Sequence, residues 1–292
     1  MNEINENDKI DINELLKQTQ QFTSKMIDLG EIIKPLCEFL KDLYSKIDFK
    51  AMADSLYTLS TAANYLTILE NTKWPLFFID NEKLKEDIIN AYDDNKSDNS
   101  EKITQIVFSY FTDDFINNKI KTKWNSCTSI REDRKPLLFE AVEMHNKEYY
   151  YSSTALLMCQ VYGIASDIID TAQKYELELS EKDKEDIADY FNLNLEDIDK
   201  EKGKLIQMTM LSEDGMMEWT IIANYLKEEI LSSSESKKRW EKQPLRNKIC
   251  HGDQLNFGTK EHSVKAILVI NILIQLSIQI ENVGKIKNKI EV

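Results

Sequence analysis

The sequence predicts an all-α protein, and three observations support this class. The 292 residues include only 7 Gly and 4 Pro, too few for the turns of a β-sandwich, a β-barrel or a glycine-loop nucleotide fold. Hydrophobic residues make up 42% of the chain, which is enough to build a core and excludes wholesale disorder. Apolar residues also recur at helical spacing along most of the chain. We therefore expect one large or two modest helical domains.

Helix signals can be placed in order along the first half of the chain. Asp11 and Glu14 form the pattern of a capping box that opens the first helix. Further helices are predicted at about 49–70, 82–92 and 103–120. The polar run 93–100 is the clearest loop. Periodicity is weak just before residue 131, so we predict an N-terminal helical region at 1–130 and a second helical domain at 131–292.

The second half continues the helical pattern. Pro136 suits the first turn of a helix, and 137–172 contains a single glycine and no proline, which predicts one long helix or two collinear ones. Ser180 with Asp183 caps the next short helix. The remaining helices are predicted at 215–231 and 260–282. The last helix is apolar nearly all round, apart from a stripe of three amides at Asn271, Gln275 and Gln279. This amide stripe is either the solvent-facing edge of a core helix or part of a subunit or ligand interface.

Several features bear on location. The most apolar stretch, Ala266–Ile280, has 15 residues, fewer than the roughly 20 that a membrane span needs. The polar, acidic start lacks the features of a secretory signal peptide. The cysteines form no CxxC pair, so we expect neither a zinc ribbon nor a disulfide framework. They are Cys37, Cys127, Cys159 and Cys250. A cytoplasmic protein with reduced thiols and no membrane contact is therefore predicted.

Charge is divided unevenly along the chain. The formal net charge is −14, yet residues 234–292 carry 11 basic and 6 acidic side chains, a net charge of +5 that leaves −19 for the rest. Acidic residues concentrate at 175–201, most simply as a solvated helix and loop, alternatively as a surface that docks a partner. A basic cluster can bind phosphates despite the acidic total, because salt screens charges beyond about 8 Å. Six basic residues within 12 positions form such a cluster: Lys237, Lys238, Arg239, Lys242, Arg246 and Lys248.

One segment inside this cluster combines residue types that suit RNA cleavage. Asn247 directly follows Arg246, and His251 lies five positions after the arginine. Metal-free cleavage by the 2′-hydroxyl needs a general base for that proton and a general acid for the leaving 5′-oxygen. An imidazole can serve both roles near neutral pH, and a guanidinium binds two phosphate oxygens at once. Arg246 and His251 are therefore the candidate catalytic pair, with Asn247 binding a phosphate oxygen or orienting the imidazole.

The local spacing carries a further expectation. On an ideal helix, Arg246 and His251 would point about 140° apart. They are better placed if the helix ends or turns between them, and Gly252, just after His251, fits such an ending. The plainer interpretation is a helix C-terminus at which basic side chains complement the helix dipole.

The segment resembles the RxxxxH motif of the HEPN superfamily, all-α domains of which many are metal-independent ribonucleases. The resemblance extends loosely over 134–290 and includes Glu140-Ala141, Tyr150, Gln160 and Gly163, with Asp167 after them. Tyr162 stands where many of these proteins carry an acidic residue. The first 130 residues show no such resemblance. A HEPN-like helical bundle in the C-terminal half is therefore expected.

The resemblance implies an endoribonuclease that acts as a homodimer, because two Arg/His sets around one cleft would supply both acid and base. It also implies a bacterial toxin or abortive-infection effector that acts on cellular RNA, with an antitoxin or regulatory protein as a further partner. The alternative is a non-catalytic HEPN-like module that binds RNA, a nucleotide or a protein. The acidic majority of the chain favours this alternative.

Other residues have weaker functional interpretations. We expect Lys248, Lys242 and Arg239 to bind substrate phosphates and Trp240 to stack on a base. His262 is a second candidate site residue, although a surface position in a first helical turn is the simpler explanation, and His145 is expected to be structural. Tyr149, Tyr150 and Tyr151 could stack on bases, although at least one of them must face the core. The histidines have no metal-ligand spacing, so no catalytic metal and no cofactor is predicted.

Overall fold

A computed structural model describes residues 49–93, 99–211, 216–232 and 235–290. All regular elements in these ranges are helical, which confirms the all-α class. The chain divides into two compact units, residues 1–64 and 65–292. The predicted boundary near residue 130 lies inside the second unit, where residues on both sides of it belong to one hydrophobic core. The predicted capping box at Asp11 and Glu14 lies outside the described residues.

The helices are numbered in chain order. The first five are α1 (Phe49–Thr72), α2 (Glu82–Ala91), α3 (Asn99–Tyr110), α4 (Asp113–Phe115) and α5 (Thr122–Ser126). The next five are α6 (Lys135–Asn146), α7 (Tyr150–Lys174), α8 (Glu181–Tyr190), α9 (Leu195–Ile198) and α10 (Glu201–Met210). The last four are α11 (Met216–Tyr225), α12 (Lys237–Lys242), α13 (Arg246–Cys250) and α14 (Lys260–Ile290). π-Helical turns at Ile116–Lys121 and Leu226–Ile230 follow α4 and α11, and a 3₁₀ turn at Glu132–Arg134 precedes α6.

Local signals explain where several helices begin. The Ser180 hydroxyl accepts a hydrogen bond from the Asp183 amide while the Asp183 carboxylate accepts one from the Ser180 amide, so the predicted capping box opens α8. Pro136 lies in the first turn of α6, as predicted. Asn81 caps α2 through the amide of Leu84. In each case the cap satisfies backbone amides that have no partner within the helix.

The region 137–172 is an antiparallel hairpin of α6 and α7, and the prediction of one helix or two collinear ones was wrong. The chain turns at Glu148, which adopts a left-handed φ of 62°. Arg134, just before α6, reaches Asp167 in the second half of α7. The two helices therefore lie side by side in opposite directions. A non-glycine residue makes this turn, so neither Gly nor Pro marks it in the sequence.

A buried ion pair fixes this hairpin. The Arg134 guanidinium donates two hydrogen bonds to the Asp167 carboxylate, at 2.9 and 3.1 Å, and a third to Gln160 Oε1 at 2.8 Å. Gly163 leaves room for it, because a Cβ there would lie 2.1 Å from Arg134 Nη1. Gln160, Gly163 and Asp167 contributed to the resemblance. In the structure, the three residues accommodate an arginine of the same chain, Arg134.

Helix α14 is the centre of the core of the second unit. It packs mainly against α7, and its residues from Val264 to Leu276 are almost all buried. The helix extends to Ile290, beyond the predicted end at residue 282. It is long and apolar enough to cross a membrane by composition alone, but 83% of its most apolar window is buried inside the protein. Such burial is typical of a core helix.

Asn271 of the amide stripe faces the interior, so neither predicted role is correct at that position, while Gln275 and Gln279 are half-buried. Asn271 is 1% exposed, and its Oδ1 accepts a hydrogen bond from the Trp124 indole at 3.3 Å. Within the described residues, Gln275 Nε2 and Gln279 Oε1 are buried and lack a hydrogen-bond partner. Asn271 therefore supplies a polar partner to the indole of Trp124, which the helical spacing alone does not reveal.

Candidate functional site

Three buried side chains hold the segment that leads into α13. Gln254 Nε2 and His262 Nε2 both donate to the Trp240 carbonyl, at 2.7 and 3.0 Å. Lys265 Nζ donates to the Lys242 carbonyl at 2.7 Å. These carbonyls lie at the end of α12, where helical partners are missing. The backbone before α13 is thereby fixed from the core.

Lys265 was not identified from the sequence, although it is among the largest fully buried side chains. The carboxylate of Glu261 lies 2.8 Å from its ammonium group, and the ring centroid of Trp74 lies 4.7 Å away. Burial lowers the pKa of Lys265, while Glu261 opposes that change. Its place on α14 near the end of α12 also puts a positive charge where the helix dipole favours one.

Helix α13 ends at Cys250, between Arg246 and His251 as the sequence predicts, and His251 is its C-cap. The amide of Gly252 donates to the Ile249 carbonyl at 3.1 Å, and the amide of Asp253 donates to the Lys248 carbonyl at 2.8 Å. These two bonds form a Schellman motif, and Gly252 supplies the positive φ of 82° that the motif requires. The motif leaves His251 exposed at the helix end.

Arg246 opens α13 and is fixed by two neighbours. Its guanidinium lies over the Tyr162 ring, 4.0 Å from the centroid, and its Nη1 donates to Asn247 Oδ1 at 3.1 Å. Asn247 Nδ2 in turn donates to the Leu231 carbonyl at 3.2 Å. Arg246 Nε is buried and has no hydrogen-bond partner among the described residues. Arg246 and Asn247 thus lie side by side in the first turn of the helix that His251 caps.

Tyr162 is the site residue that sequence reasoning missed. It occupies the position at which the chain departs from the acidic pattern of the resembled family. The structure places it on α7 under the Arg246 guanidinium. An aromatic face attracts a cation through its quadrupole, with a stabilisation of about 0.5–2 kcal/mol. The departure from the family pattern at this position was therefore the one sequence signal that could have identified Tyr162 as a site residue.

Two predicted phosphate-binding residues are engaged by acidic or polar groups of the chain. Lys248 Nζ donates to the Glu235 carboxylate and lies 3.4 Å from Asp253 Oδ2, and the hydrogen bond with Glu235 raises the pKa of Lys248. Arg239 Nη1 donates to the Glu228 carbonyl at 2.6 Å, and its Nε lies 3.6 Å from a carboxylate oxygen of Glu229. Phosphate binding by either residue requires exchange of these internal partners.

The stacking role predicted for Trp240 needs correction. Its side chain is only 5% exposed, and Lys237 Nζ lies 3.5 Å from the centroid of its ring. Trp240 lies inside the basic cluster in sequence, but its buried indole leaves little surface on which a base could stack. The Lys242 side chain is exposed, so this predicted phosphate-binding lysine faces solvent.

The other two histidines are buried. His145 is 3% exposed and shares a hydrogen bond of 2.7 Å with the Ser263 hydroxyl, and His262 is fully buried between Thr259 and the Trp240 carbonyl. Burial lowers the pKa of each imidazole to about 4. His145 is therefore structural, as expected. His262 is also structural, but it lies in the core rather than at the surface.

The three consecutive tyrosines differ in their exposure. Tyr149 and Tyr151 are more than half exposed, and Tyr150 packs beside the His145 ring at 5.5 Å. One of the three therefore faces the interior, as expected.

Within the described part of the chain, no group of three or more His, Cys, Asp or Glu side chains is arranged to hold a metal ion.

The geometry thus joins α7 and α13 around Arg246, with Asn247 beside it and His251 exposed at the end of α13. The fixed Arg246 guanidinium and the exposed His251 imidazole are the groups of this site that can take part in a reaction. No protein-family model, no curated protein and no solved structure matches this chain.

Proposed function

We propose that the chain is a metal-independent endoribonuclease of HEPN type. The observation that carries the proposal is the fixed Arg246 guanidinium, held by Tyr162 and Asn247, on the same five-residue helix that ends at the exposed His251. A planar cation held in place suits a phosphate group. An accessible imidazole suits proton transfer in water near neutral pH.

The proposed reaction uses these residues in distinct roles. Arg246 binds the scissile phosphate and stabilises the negative charge that gathers in the pentavalent transition state. His251 removes the 2′-hydroxyl proton or protonates the leaving 5′-oxygen. Asn247 keeps the guanidinium oriented through the Nη1 to Oδ1 hydrogen bond. A homodimer would bring two such sets to one cleft, so that one imidazole acts as base and the other as acid.

Tyr162 is a positioning residue in this proposal. Its ring lies 4.0 Å from the Arg246 guanidinium and, with the bond from Nη1 to Asn247, sets the direction in which the guanidinium meets a phosphate. We expect Tyr162→Phe to retain cleavage, because the aromatic face remains, and Tyr162→Leu to lose most of it with a larger effect on kcat than on KM. Equal activity of the Tyr162→Leu variant and wild type would contradict the positioning role.

The central test is cleavage of RNA by the purified full chain in the presence of EDTA. We expect His251→Ala and Arg246→Ala each to lower the rate by at least roughly 100-fold, the range that acid–base catalysis supplies. Arg131→Ala is a matched control, since Arg131 is an exposed arginine paired with Asp133. Full activity of the His251 variant would refute the assignment of the site, and sensitivity to EDTA would refute the metal-free mechanism.

The second candidate function is a non-catalytic module that binds RNA, a nucleotide or a protein. The internal pairing of Lys248 and Arg239 favours it, because paired cations contribute less to phosphate binding. The salt dependence of RNA binding distinguishes the candidates. A slope of log Kd against log salt that corresponds to several released counterions indicates phosphate contacts, whereas a flat response together with no cleavage supports a protein partner.

The proposed setting is a bacterial toxin or abortive-infection effector in the cytoplasm, with an antitoxin or regulatory protein as a partner. This setting follows from the HEPN resemblance alone. Expression of the chain in a bacterial host tests it, because an active ribonuclease slows growth. Toxicity that His251→Ala relieves would support the setting, and equal growth with both forms would contradict it.

A further inference from the structure

Two cysteines meet where α7 packs against α13. The Sγ atoms of Cys159 and Cys250 lie 3.4 Å apart, although the residues are 91 positions apart in sequence. Both thiols are free; Cys159 is exposed and Cys250 is half-buried. The sequence predicts no pairing, because spacing along the chain does not show which helices touch.

The geometry is close to that of a disulfide. A disulfide has an S–S distance of about 2.05 Å, so the sulfurs must approach by a little over 1 Å. Side-chain rotation and small shifts of the short helix α13 are of this size. The buried Cys127 has its sulfur beside the Ser129 hydroxyl, 3.4 Å away. Among the cysteines that the structure describes, Cys159 and Cys250 are therefore the pair that can join.

The two thiols also differ in reactivity. Burial, together with the contact to Cys159, raises the pKa of Cys250 to about 11. Cys250 therefore stays protonated at neutral pH and reacts poorly with an oxidant itself. The exposed Cys159 is the sulfur that a dissolved oxidant reaches first.

We propose that Cys159 and Cys250 form a reversible redox pair that joins α7 to α13 by a disulfide when a peroxide is present. The Cys159 thiolate attacks hydrogen peroxide, forms sulfenic acid and releases hydroxide, which takes up the proton that the thiol lost. The Cys250 sulfur then displaces the hydroxyl of the sulfenic acid as water. In total, two thiols and one peroxide give one disulfide and two waters. A dithiol reductant reverses the step by exchange.

The bond would act on the same pair of helices as the contact between Arg246 and Tyr162. Cys159 lies three positions before Tyr162 on α7, and Cys250 lies four positions after Arg246 on α13. Residues at these spacings share a helix face. The disulfide would therefore fasten α13 to α7 one turn away from the guanidinium. Its formation does not depend on whether the chain cleaves RNA.

The test is oxidation of the wild-type full chain by hydrogen peroxide, followed by intact mass, free-thiol titration and peptide mapping without reduction. We expect the loss of two thiols, a mass lower by two hydrogens, a peptide that joins Cys159 to Cys250, and full reversal by dithiothreitol. A denatured sample is the control, and in it we expect this cross-link to lose its predominance because proximity no longer selects the pair.

Single variants make the result decisive. In Cys250→Ser, Cys159 should take up oxygen without losing two hydrogens, and in Cys159→Ser the Cys250 thiol should persist at the same peroxide dose. Cross-links between two chains only, pairing with Cys37 or Cys127, or survival of both thiols in the folded wild-type chain would each overturn the proposal. All of these readouts are independent of RNA cleavage, so they can fail while the proposed function stands, and the reverse also holds.

Discussion

Acidification should destabilise the folded chain through its two buried imidazoles. His145 and His262 have folded-state pKa values of about 4 against an ordinary value of 6.5. The unfolded chain therefore binds more protons than the folded chain between these values, so stability is complete above the unfolded pKa and falls as pH drops towards 4. Between about pH 7.5 and about pH 5, each histidine should cost about 2 kcal/mol of unfolding free energy. The two together are a large share of a typical total of roughly 5–15 kcal/mol.

Urea unfolding at both pH values, followed by circular dichroism, measures this loss. In His145→Gln and His262→Gln, the change between the two pH values should be smaller by about 2 kcal/mol each, whatever the variant does to stability at pH 7.5. The pH dependence is the diagnostic quantity, because either variant also loses native hydrogen bonds.

One outcome would refute the reasoning. If both variants of the buried histidines lost as much stability on acidification as wild type, then desolvation of these imidazoles would not be the source of the loss. Other groups that titrate over this range would then dominate.

Three further predictions concern stability and can be measured by thermal or urea unfolding. Gly163→Ala should cost roughly 3 kcal/mol, because its Cβ would lie 2.1 Å from Arg134 Nη1 and displace the guanidinium from Asp167; an unchanged midpoint would contradict the tight fit. Asp167→Asn should cost about 3–5 kcal/mol, since it leaves the Arg134 charge buried without its carboxylate; a loss below 1 kcal/mol would indicate that water already reaches the pair. Gly252→Ala should cost about 1 kcal/mol through its φ of 82°, and Gly252→Asn less; equal losses in the two variants would contradict a conformational cause.

The signals that predicted structure correctly were local. The capping box at Ser180, the proline in the first turn of α6 and the glycine after His251 each act on backbone groups a few residues away. The scarcity of Gly and Pro predicted the fold class for a similar reason, because turns of β-structure depend on the conformations of single residues. Helix ends and turns that depend on neighbouring residues can therefore be predicted from a single sequence.

The errors arose where distant segments meet. The turn at Glu148 brings α6 against α7, and the buried Asn271 bonds Trp124, which lies 147 positions away. For the candidate site, the sequence predicted that the helix ends between Arg246 and His251, and α13 does end at Cys250. The sequence did not predict the contact of the Tyr162 ring with the Arg246 guanidinium, because helical spacing alone does not show which residue of α7 faces α13.

The position of α14 along the chain has a consequence for biosynthesis. Its side-chain hydrogen bonds join residues far apart in sequence. The bond between Trp124 and Asn271 spans 147 positions, and the bond between Ser277 and Ser129 spans 148. None of these bonds can form until α14 has left the ribosome. The surfaces of α6 and α7 that α14 covers therefore stay without it until α14 is translated. We expect this unit to complete its folding after translation of α14, and slowly for a helical protein, since the contacts of α14 with earlier helices close long loops.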